Sequence, residues 1–349
     1  MNQLKNVLVT GGAGYVGAIL VPKLLNKGYR VKVLDLYTYG EDVFDDIKDK
    51  SNLVEIKGDI CDQALLQSSL KGCDAVIHLA CISNDPSFEL NPGLSLKVNY
   101  EAFEPLVRIS KENGVKRFVY ASTCSVYGVS DAPEVTEDHP LLPITDYNKY
   151  KGMCEPILAK YQSPEFTTIT IRPATVCGYS PRQRFDLTVN ILTNHAYHNN
   201  RIKVFGGKQE RPNIHIGDIT DLYVQLLELP DAKIAGKIYN AGFQNRAVGD
   251  IALIVQKIMS QEFPERSEPT IETLPSDDIR SYRISSDKIK RELGFVPRFT
   301  IEDAVRDLIK AFRANKFQDA MNNPRYFNIK TLKSLEAQPA AVGGAGNKA

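Results

Sequence analysis

The sequence lacks an excess of charge of either sign: 43 lysines and arginines stand against 42 aspartates and glutamates in 349 residues. Nothing global therefore draws the chain to nucleic acid or to an anionic membrane surface, and any affinity for phosphate has to come from a local cluster. It also lacks an apolar run of transmembrane length. Met1-Asn-Gln-Leu-Lys5 runs straight into Val7-Leu8-Val9, which leaves no room for a signal peptide and points to a cytoplasmic protein. Cys61, Cys73, Cys81, Cys124, Cys154 and Cys177 lack the close spacing of metal ligands, so reduced, buried thiols are expected rather than disulfides or zinc. Histidine is scarce. His195 and His198 are three apart, but without an evident third ligand they read as a polar helix surface, and no metal is expected.

Against these absences, the first half alternates short Val- and Ile-rich runs with longer amphipathic stretches, the signature of βαβ units and a parallel sheet. Strands are expected at Asn6–Thr10, Arg30–Asp35, Leu53–Lys57, Ala75–Leu79, Arg117–Ser122 and Thr167–Arg172. Helices are expected at Tyr15–Lys27, Asp62–Leu70, Leu94–Asn113 and Tyr147–Tyr161. Their order gives an α/β, doubly wound, Rossmann-like sheet over residues 1–177. After Arg172 prolines and glycines break the rhythm, so residues 178–335 are expected to form mainly a smaller substrate-binding portion, partly interleaved with the sheet. Residues 336–349 read as a flexible tail. Pro105 and Pro156 fall inside expected helices, where a missing N–H and a ring clash should produce a kink or bulge at each.

Gly11-Gly-Ala-Gly14-Tyr-Val-Gly17 sits between the first strand and the first helix. Glycines there permit a tight turn and let a pyrophosphate approach the amides and positive dipole of the helix N-terminus. Asp35 closes the second strand at the distance where a carboxylate accepts hydrogen bonds from an adenosine ribose and repels a 2′-phosphate, favouring NAD over NADP. Asp59 and Ile60, after the third strand, are placed to contact adenine; a helix cap by Asp59 or Asp62 is the competing reading. Tyr147 and Lys151 are four apart, which on a helix puts both on one face, about 6 Å apart along the axis. A phenol near an ammonium loses its proton more readily than a free one, whose pKa is about 10, so Tyr147 is a candidate acid and base. Tyr326 and Lys330 repeat the spacing near the C-terminus, so spacing alone does not decide.

Further motifs are Gly58-Asp59-Ile60, His78-Leu79-Ala80, Val98-Asn99, Ser122-Thr-Cys-Ser-Val-Tyr-Gly128, Arg172-Pro173, Arg211 to Asp218, and Arg291-Glu-Leu-Gly-Phe-Val-Pro297. With these the chain resembles the extended short-chain dehydrogenase/reductase family, in particular its nucleotide-sugar epimerases, dehydratases and reductases, from the glycine motif to about Arg306. The resemblance implies NAD held by Gly11, Gly14, Tyr15, Val16, Gly17, Asp35, Asp59, Ile60, Leu79, Ala80, Asn99 and Lys151. It makes Thr123, three residues before Val126-Tyr127-Gly128, a catalytic hydroxyl beside Tyr147 and Lys151, with Ser125 as a neighbouring one. It leaves Tyr326 and Lys330, beyond the last recognisable element, as ordinary surface.

On the substrate side the resemblance implies that Arg211 binds a diphosphate, with Arg280 or Arg283 as a second arginine. Asn190 lies near the sugar diphosphate, and Ser83, Asn84 and Asp85, after the fourth strand, read as loop caps first and as residues facing the sugar second. One departure carries weight. The family's 4,6-dehydratases have an acidic pair after the catalytic threonine, whereas this chain has Cys124-Ser125. Dehydration is therefore disfavoured. The expected activity is a nucleotide-sugar 4-epimerase that oxidises C4 transiently to a 4-keto sugar and re-reduces it with retained NAD. A C4 reductase of 4-keto sugars is the alternative, ahead of a dehydratase or a non-catalytic dinucleotide-binding protein. A homodimer through the helices at 94–113 and 147–161 is expected from the same resemblance.

Overall fold

The computed structural model describes residues 4–278 and 280–336; the expected tail beyond residue 336 lies outside them. Six strands come first: β1 (Asn6–Thr10), β2 (Arg30–Asp35), β3 (Leu53–Lys57), β4 (Ala75–His78), β5 (Arg117–Ala121) and β6 (Thr167–Pro173). Then come β7 (Thr175–Cys177), β8 (Arg201–Phe205), β9 (Glu210–His215), β10 (Lys237–Ala241), β11 (Gln244–Ala247) and β12 (Thr270–Leu274). Seven of them form one parallel sheet in the order β10-β6-β5-β4-β1-β2-β3. The strand order reverses beside β1, which opens a crevice at the carboxyl ends of β1 and β4. β7, β9 and β11 make a small mixed sheet, and β8 pairs with β12.

The helices in chain order are α1 (Gly17–Asn26), α2 (Gln63–Leu70), α3 (Asp85–Leu90), α4 (Pro92–Leu96), α5 (Phe103–Glu112) and α6 (Asp146–Tyr161). After them come α7 (Thr188–Asn199), α8 (Ile216–Glu228), α9 (Asp231–Ile234), α10 (Val248–Glu262), α11 (Asp287–Leu293), α12 (Ile301–Arg313) and α13 (Asn328–Glu336).

Alternation along the strands divides the core. Val7, Val9, Ala75, Ile77 and Val119 point to one face, where they meet Leu20 and Leu24 of α1 and Leu222 and Tyr223 of α8. Leu8, Val76, Phe118 and Tyr120 point to the other, against Leu66 of α2, Leu106 of α5 and Leu158 of α6. Helices on both faces leave the central strands β1, β4, β5 and β6 with almost no solvent-facing side, which is why their buried stretches carry few charges, while the edge strand β3 stays largely exposed. A third core joins α7, α10 and α12 under β8.

The prolines behave differently from each other. Ahead of Pro105 the backbone widens into a π-helical turn over Lys97–Glu101, closed by Ala102 N donating to Lys97 O at 2.9 Å, so the expected single helix at 94–113 is three pieces. Pro156, in contrast, lies inside a helix that runs unbroken over Asp146–Tyr161, so of the expected kink or bulge no bulge forms there. The histidine pair sits on α7, with His195 half-buried and His198 exposed. Among the described residues no cluster of His, Cys, Asp or Glu is arranged to hold a metal, and no helix is long and apolar enough to cross a membrane.

Candidate active site

The crevice is a cavity of about 560 Å³ that reaches from the glycine turn to the first two turns of α6. Its floor depends on the missing side chains. At Gly11 the backbone takes φ +71°, and a Cβ there would lie 2.5 Å from the backbone N of Ala80. At Gly17 a Cβ would lie 2.2 Å from Gly12 O. No side chain caps the first amides of α1, and Gly11, Gly14, Tyr15, Val16 and Gly17 all line the cavity. Free amides at a helix N-terminus in a side-chain-free cradle suit a pyrophosphate.

Asp35 stands at the end of β2 with Oδ2 accepting from Ala13 N at 3.0 Å and Oδ1 from Tyr37 N at 2.8 Å. Burial raises its pKa above the ordinary carboxylate value, with those two amides opposing. Each oxygen keeps a further lone pair for a ribose hydroxyl, so the residues present fit a dinucleotide. Asp59, Ile60, Leu79 and Ala80 also line the cavity. The helix cap belongs to Asp62, which accepts from Ala64 N and Leu65 N; Asp59 accepts from Cys61 N. Asn99 corrects the sequence reading. Its side chain clasps Ile82, accepting from the N at 2.8 Å and donating to the O at 2.9 Å, and does not line the cavity. It is buried behind the wall and fixes the loop after β4.

At the reaction end, Thr123 caps a short 3-10 turn, Oγ1 accepting from Ser125 N at 3.1 Å and meeting Ser125 Oγ at 2.9 Å. Ser125 gives its hydrogen to Asn148 Oδ1, so Thr123 donates in the contact between the hydroxyls. On α6, capped by Thr145, Tyr147 and Lys151 both face the cavity. The Lys151 ammonium donates to Ala121 O and stands 4.5 Å from the Tyr120 ring centroid. One turn further, Glu155 is buried and paired with Arg172 at 2.6 Å, and it accepts from Ser122 Oγ, also at 2.6 Å. Cys124 turns away: its thiol donates to Arg172 O at 2.8 Å, and burial raises its pKa far above that of a free thiol.

Tyr147 overturns the expectation that Lys151 makes it easily ionised. Burial first, then Cys81 and Asp85, raise its pKa well above the ordinary phenol value, and Arg184 opposes them.

Toward the substrate side, Arg211 and Arg280 both line the cavity and share Asp278, Arg211 at 2.8 Å and Arg280 at 2.7 Å. Arg283 instead pairs with Glu210 at 3.5 Å. Asn84 and Ser83 line the cavity; Asn84 caps α3 and donates to Asp186 at 3.2 Å, while Ser83 accepts from Arg184 at 3.1 Å. Asn190 is a second correction. It accepts from Gly178 N and donates to Tyr15 OH and Arg184 O, all within 3.0 Å. With every hydrogen of its amide used, it braces the wall behind Tyr15 and does not line the cavity.

Several cavity residues escaped sequence reasoning. Arg182 stacks on the Tyr39 ring at 3.7 Å and donates to Asn328 Oδ1 at 2.5 Å; burial and the neighbouring Arg184 lower its pKa to about 10. The charge-dense Arg182-Gln-Arg-Phe-Asp186 was a visible signal for this cluster. Asn328 and Leu332 of α13 gave none. Tyr326 is not surface, as expected, but 4 % exposed among Phe185, Phe312 and Phe317, and that packing delivers α13 to the cavity.

The profile of the NAD dependent epimerase/dehydratase family matches residues 7–242. A dTDP-glucose 4,6-dehydratase of Streptomyces niveus is 26% identical over 319 residues, covering 89% of this chain and 93% of that protein. A UDP-glucose 4-epimerase of Bacillus subtilis is 27% identical over 325 residues, covering 86% of this chain and 95% of that one. Among solved structures, MoeE5 in complex with UDP-glucuronic acid and NAD superposes with a TM-score of 0.75 at 26% identity, over 89% of this chain and 99% of that one.

Proposed function

Since the chain belongs to the NAD dependent epimerase/dehydratase family, we propose that this enzyme is a nucleotide-sugar 4-epimerase, its cofactor side built from residues 1–177 and its substrate side mainly from residues 178–335. The observation that carries the choice is the turn Thr123-Cys124-Ser125, which offers the cavity two hydroxyls and no acid. Removing water would require one group to protonate the departing hydroxyl and another to take a carbon-bound proton. The Cys124 thiol is buried and bonded to a carbonyl. The carboxylates of Asp85 and Asp186 that face the cavity are tied to Arg280 and Arg184.

NAD, held by the glycine cradle, Asp35 and Lys151, supplies a reversible two-electron acceptor for the sugar's C4. The Thr123 hydroxyl turns its hydrogen from Ser125 Oγ to the C4 oxygen, and Tyr147, in its phenolate form, takes the C4 hydroxyl proton as hydride leaves C4. The Lys151 ammonium, fixed by Ala121 O, favours the charged form of the tyrosine whose proton affinity burial has raised. Arg211 and Arg280 hold the diphosphate as the sugar presents its other face, and Tyr147 then returns the proton. Because the same side chain gives and takes, no net proton is consumed.

The test is mass spectrometry and NMR of products from UDP-, dTDP-, GDP- and CDP-sugars, with bound nicotinamide identified after denaturation. A C4 epimer of unchanged mass and retained NAD are expected; loss of water or stoichiometric consumption of NADH with a 4-keto sugar would reject epimerisation. Tyr147→Phe should abolish turnover and leave NAD bound. We extend the proposal to a homodimer through the outer faces of α5 and α6, where Glu104, Arg108, Met153 and Pro156 are exposed. Light scattering that returns a monomer mass at micromolar concentration rules the dimer out.

A further inference from the structure

Asp85, the first residue of α3, is 8% exposed, and both its carboxylate oxygens are engaged. Oδ1 accepts the hydroxyl of Thr145 at 2.5 Å and Oδ2 pairs with Arg280. Thr145 is the N-cap of α6, accepting from Asn148 N at 3.3 Å, and Tyr147 follows two residues later. Arg280 reaches Asp278 through Nε and Nη2, both at 2.7 Å, and Arg211 meets the same carboxylate at 2.8 Å. A continuous run of charge-assisted bonds therefore joins Arg211, Asp278, Arg280, Asp85 and Thr145. It ends on the first turn of the helix that carries Tyr147 and Lys151. The members come from β9, the segment after β12, α3 and the cap of α6, so side chains alone make the connection.

We infer that Asp85 is a positioning residue that carries the placement of Arg280 to Tyr147 through the cap of α6, a role that rests on reading Arg280 as a diphosphate arginine. A carboxylate is required because one group must accept from a hydroxyl and pair with a guanidinium at once; an amide keeps the first bond and loses the second. Asp85 also sets a negative charge near the phenol of Tyr147. The other titratable groups around that phenol are Cys81 after β4, Tyr120 of β5, Arg184 ahead of α7, Tyr282 after β12, and Lys151 on α6 itself. Arg184 and Lys151 favour the tyrosinate, and Asp85 opposes it.

The test uses the full chain with Asp85→Asn and Asp85→Glu. Two readouts are taken: kcat, KM and pH profile on a nucleotide sugar that the wild type epimerises, and calorimetric binding of UDP and dTDP. The Tyr147 titration is followed separately, as phenolate absorbance of each protein minus that of its Tyr147→Phe counterpart. Asp85→Asn should keep nucleotide binding, lower kcat by about 10–100-fold through misplacement of Tyr147, and move the Tyr147 titration to lower pH. Asp85→Glu should restore part of kcat. An unchanged kcat overturns the inference, and so does a fall in kcat with the Tyr147 titration unmoved, since that is a purely structural loss. If the wild type epimerises none of the sugars, the functional reading fails by itself, and an unmoved absorbance titration in Asp85→Asn still rejects the link to Tyr147.

Discussion

Replacing Glu155 with alanine should be among the most destabilising single changes in α6. Its side chain is 3% exposed and that of Arg172 4% exposed. Arg172 gives Nε to Oε1 at 3.0 Å and Nη2 to Oε2 at 2.6 Å, with Nη1 on Tyr127 OH at 2.7 Å. Alanine removes two of those acceptors and leaves a guanidinium buried without its counter-charge. Breaking one side of such a pair costs about 3–5 kcal/mol. Ser122 Oγ, which gives its hydrogen to Glu155 at 2.6 Å, loses its acceptor too, so the β5 end of the cavity should loosen along with the helix.

The double variant Glu155→Leu, Arg172→Met removes both charges and fills the space. It should recover most of the loss, because a well-packed apolar pair is about as stable as a buried ion pair. The exposed pair Arg108–Glu112, at 2.9 Å and 44% and 52% exposed, is the control; Glu112→Ala there should cost no more than about 0.5 kcal/mol. Urea unfolding of the four proteins gives the comparison. A loss under about 1 kcal/mol for Glu155→Ala, or a double variant no better than the single, would refute burial of an unpaired charge as the cause.

Gly11→Ala should destabilise the fold by about 1–2 kcal/mol from the left-handed backbone alone, and the clash with Ala80 should release nicotinamide on gel filtration. Asn328→Leu removes the acceptor of Arg182; a buried donor left unpaired costs about 1–3 kcal/mol, and weaker cofactor retention with an intact fold is the readout. Asp278 has its pKa held down to about 2, because the hydrogen bond from Arg280 and the charges of Arg211 and Arg280 outweigh burial. A depressed carboxylate stabilises the fold above its unfolded pKa of about 3.9, and the benefit is lost as pH falls through about 2. Acid titrations of stability should therefore fall less steeply over that window in Asp278→Asn than in the wild type.

The strands β1 and β2 are legible to the residue because Val-rich runs bounded by turn residues leave few other ways to bury their side chains, and β3, though largely exposed, because its short apolar-containing run lies between turn signals. β10 is not. Lys237-Ile-Tyr-Asn-Ala241 has no long apolar run, and it becomes a sheet strand only through pairing with β6. Motif alone points Asn99 and Asn190 at ligands; in the structure the Asn99 amide clasps Ile82 and the Asn190 amide bonds Gly178, Tyr15 and Arg184. Whether an amide faces a cavity or the wall behind it depends on neighbours distant in sequence.

By itself the sequence determined the glycine cradle, the strand-end aspartate and the shared helix face of Tyr147 and Lys151, because turn geometry and helical spacing are local properties of the chain; Thr123 joins them only through the family resemblance. The tertiary structure decided which of two identical tyrosine–lysine spacings faces a cavity. Tyr326 is packed among Phe185, Phe312 and Phe317, while Tyr147 faces the cavity. It also decided the proton affinity of Tyr147, where burial, with Cys81 and Asp85, prevails over the nearby positive charge. Desolvation is the sum of everything packed around a group, and spacing along one helix does not contain it.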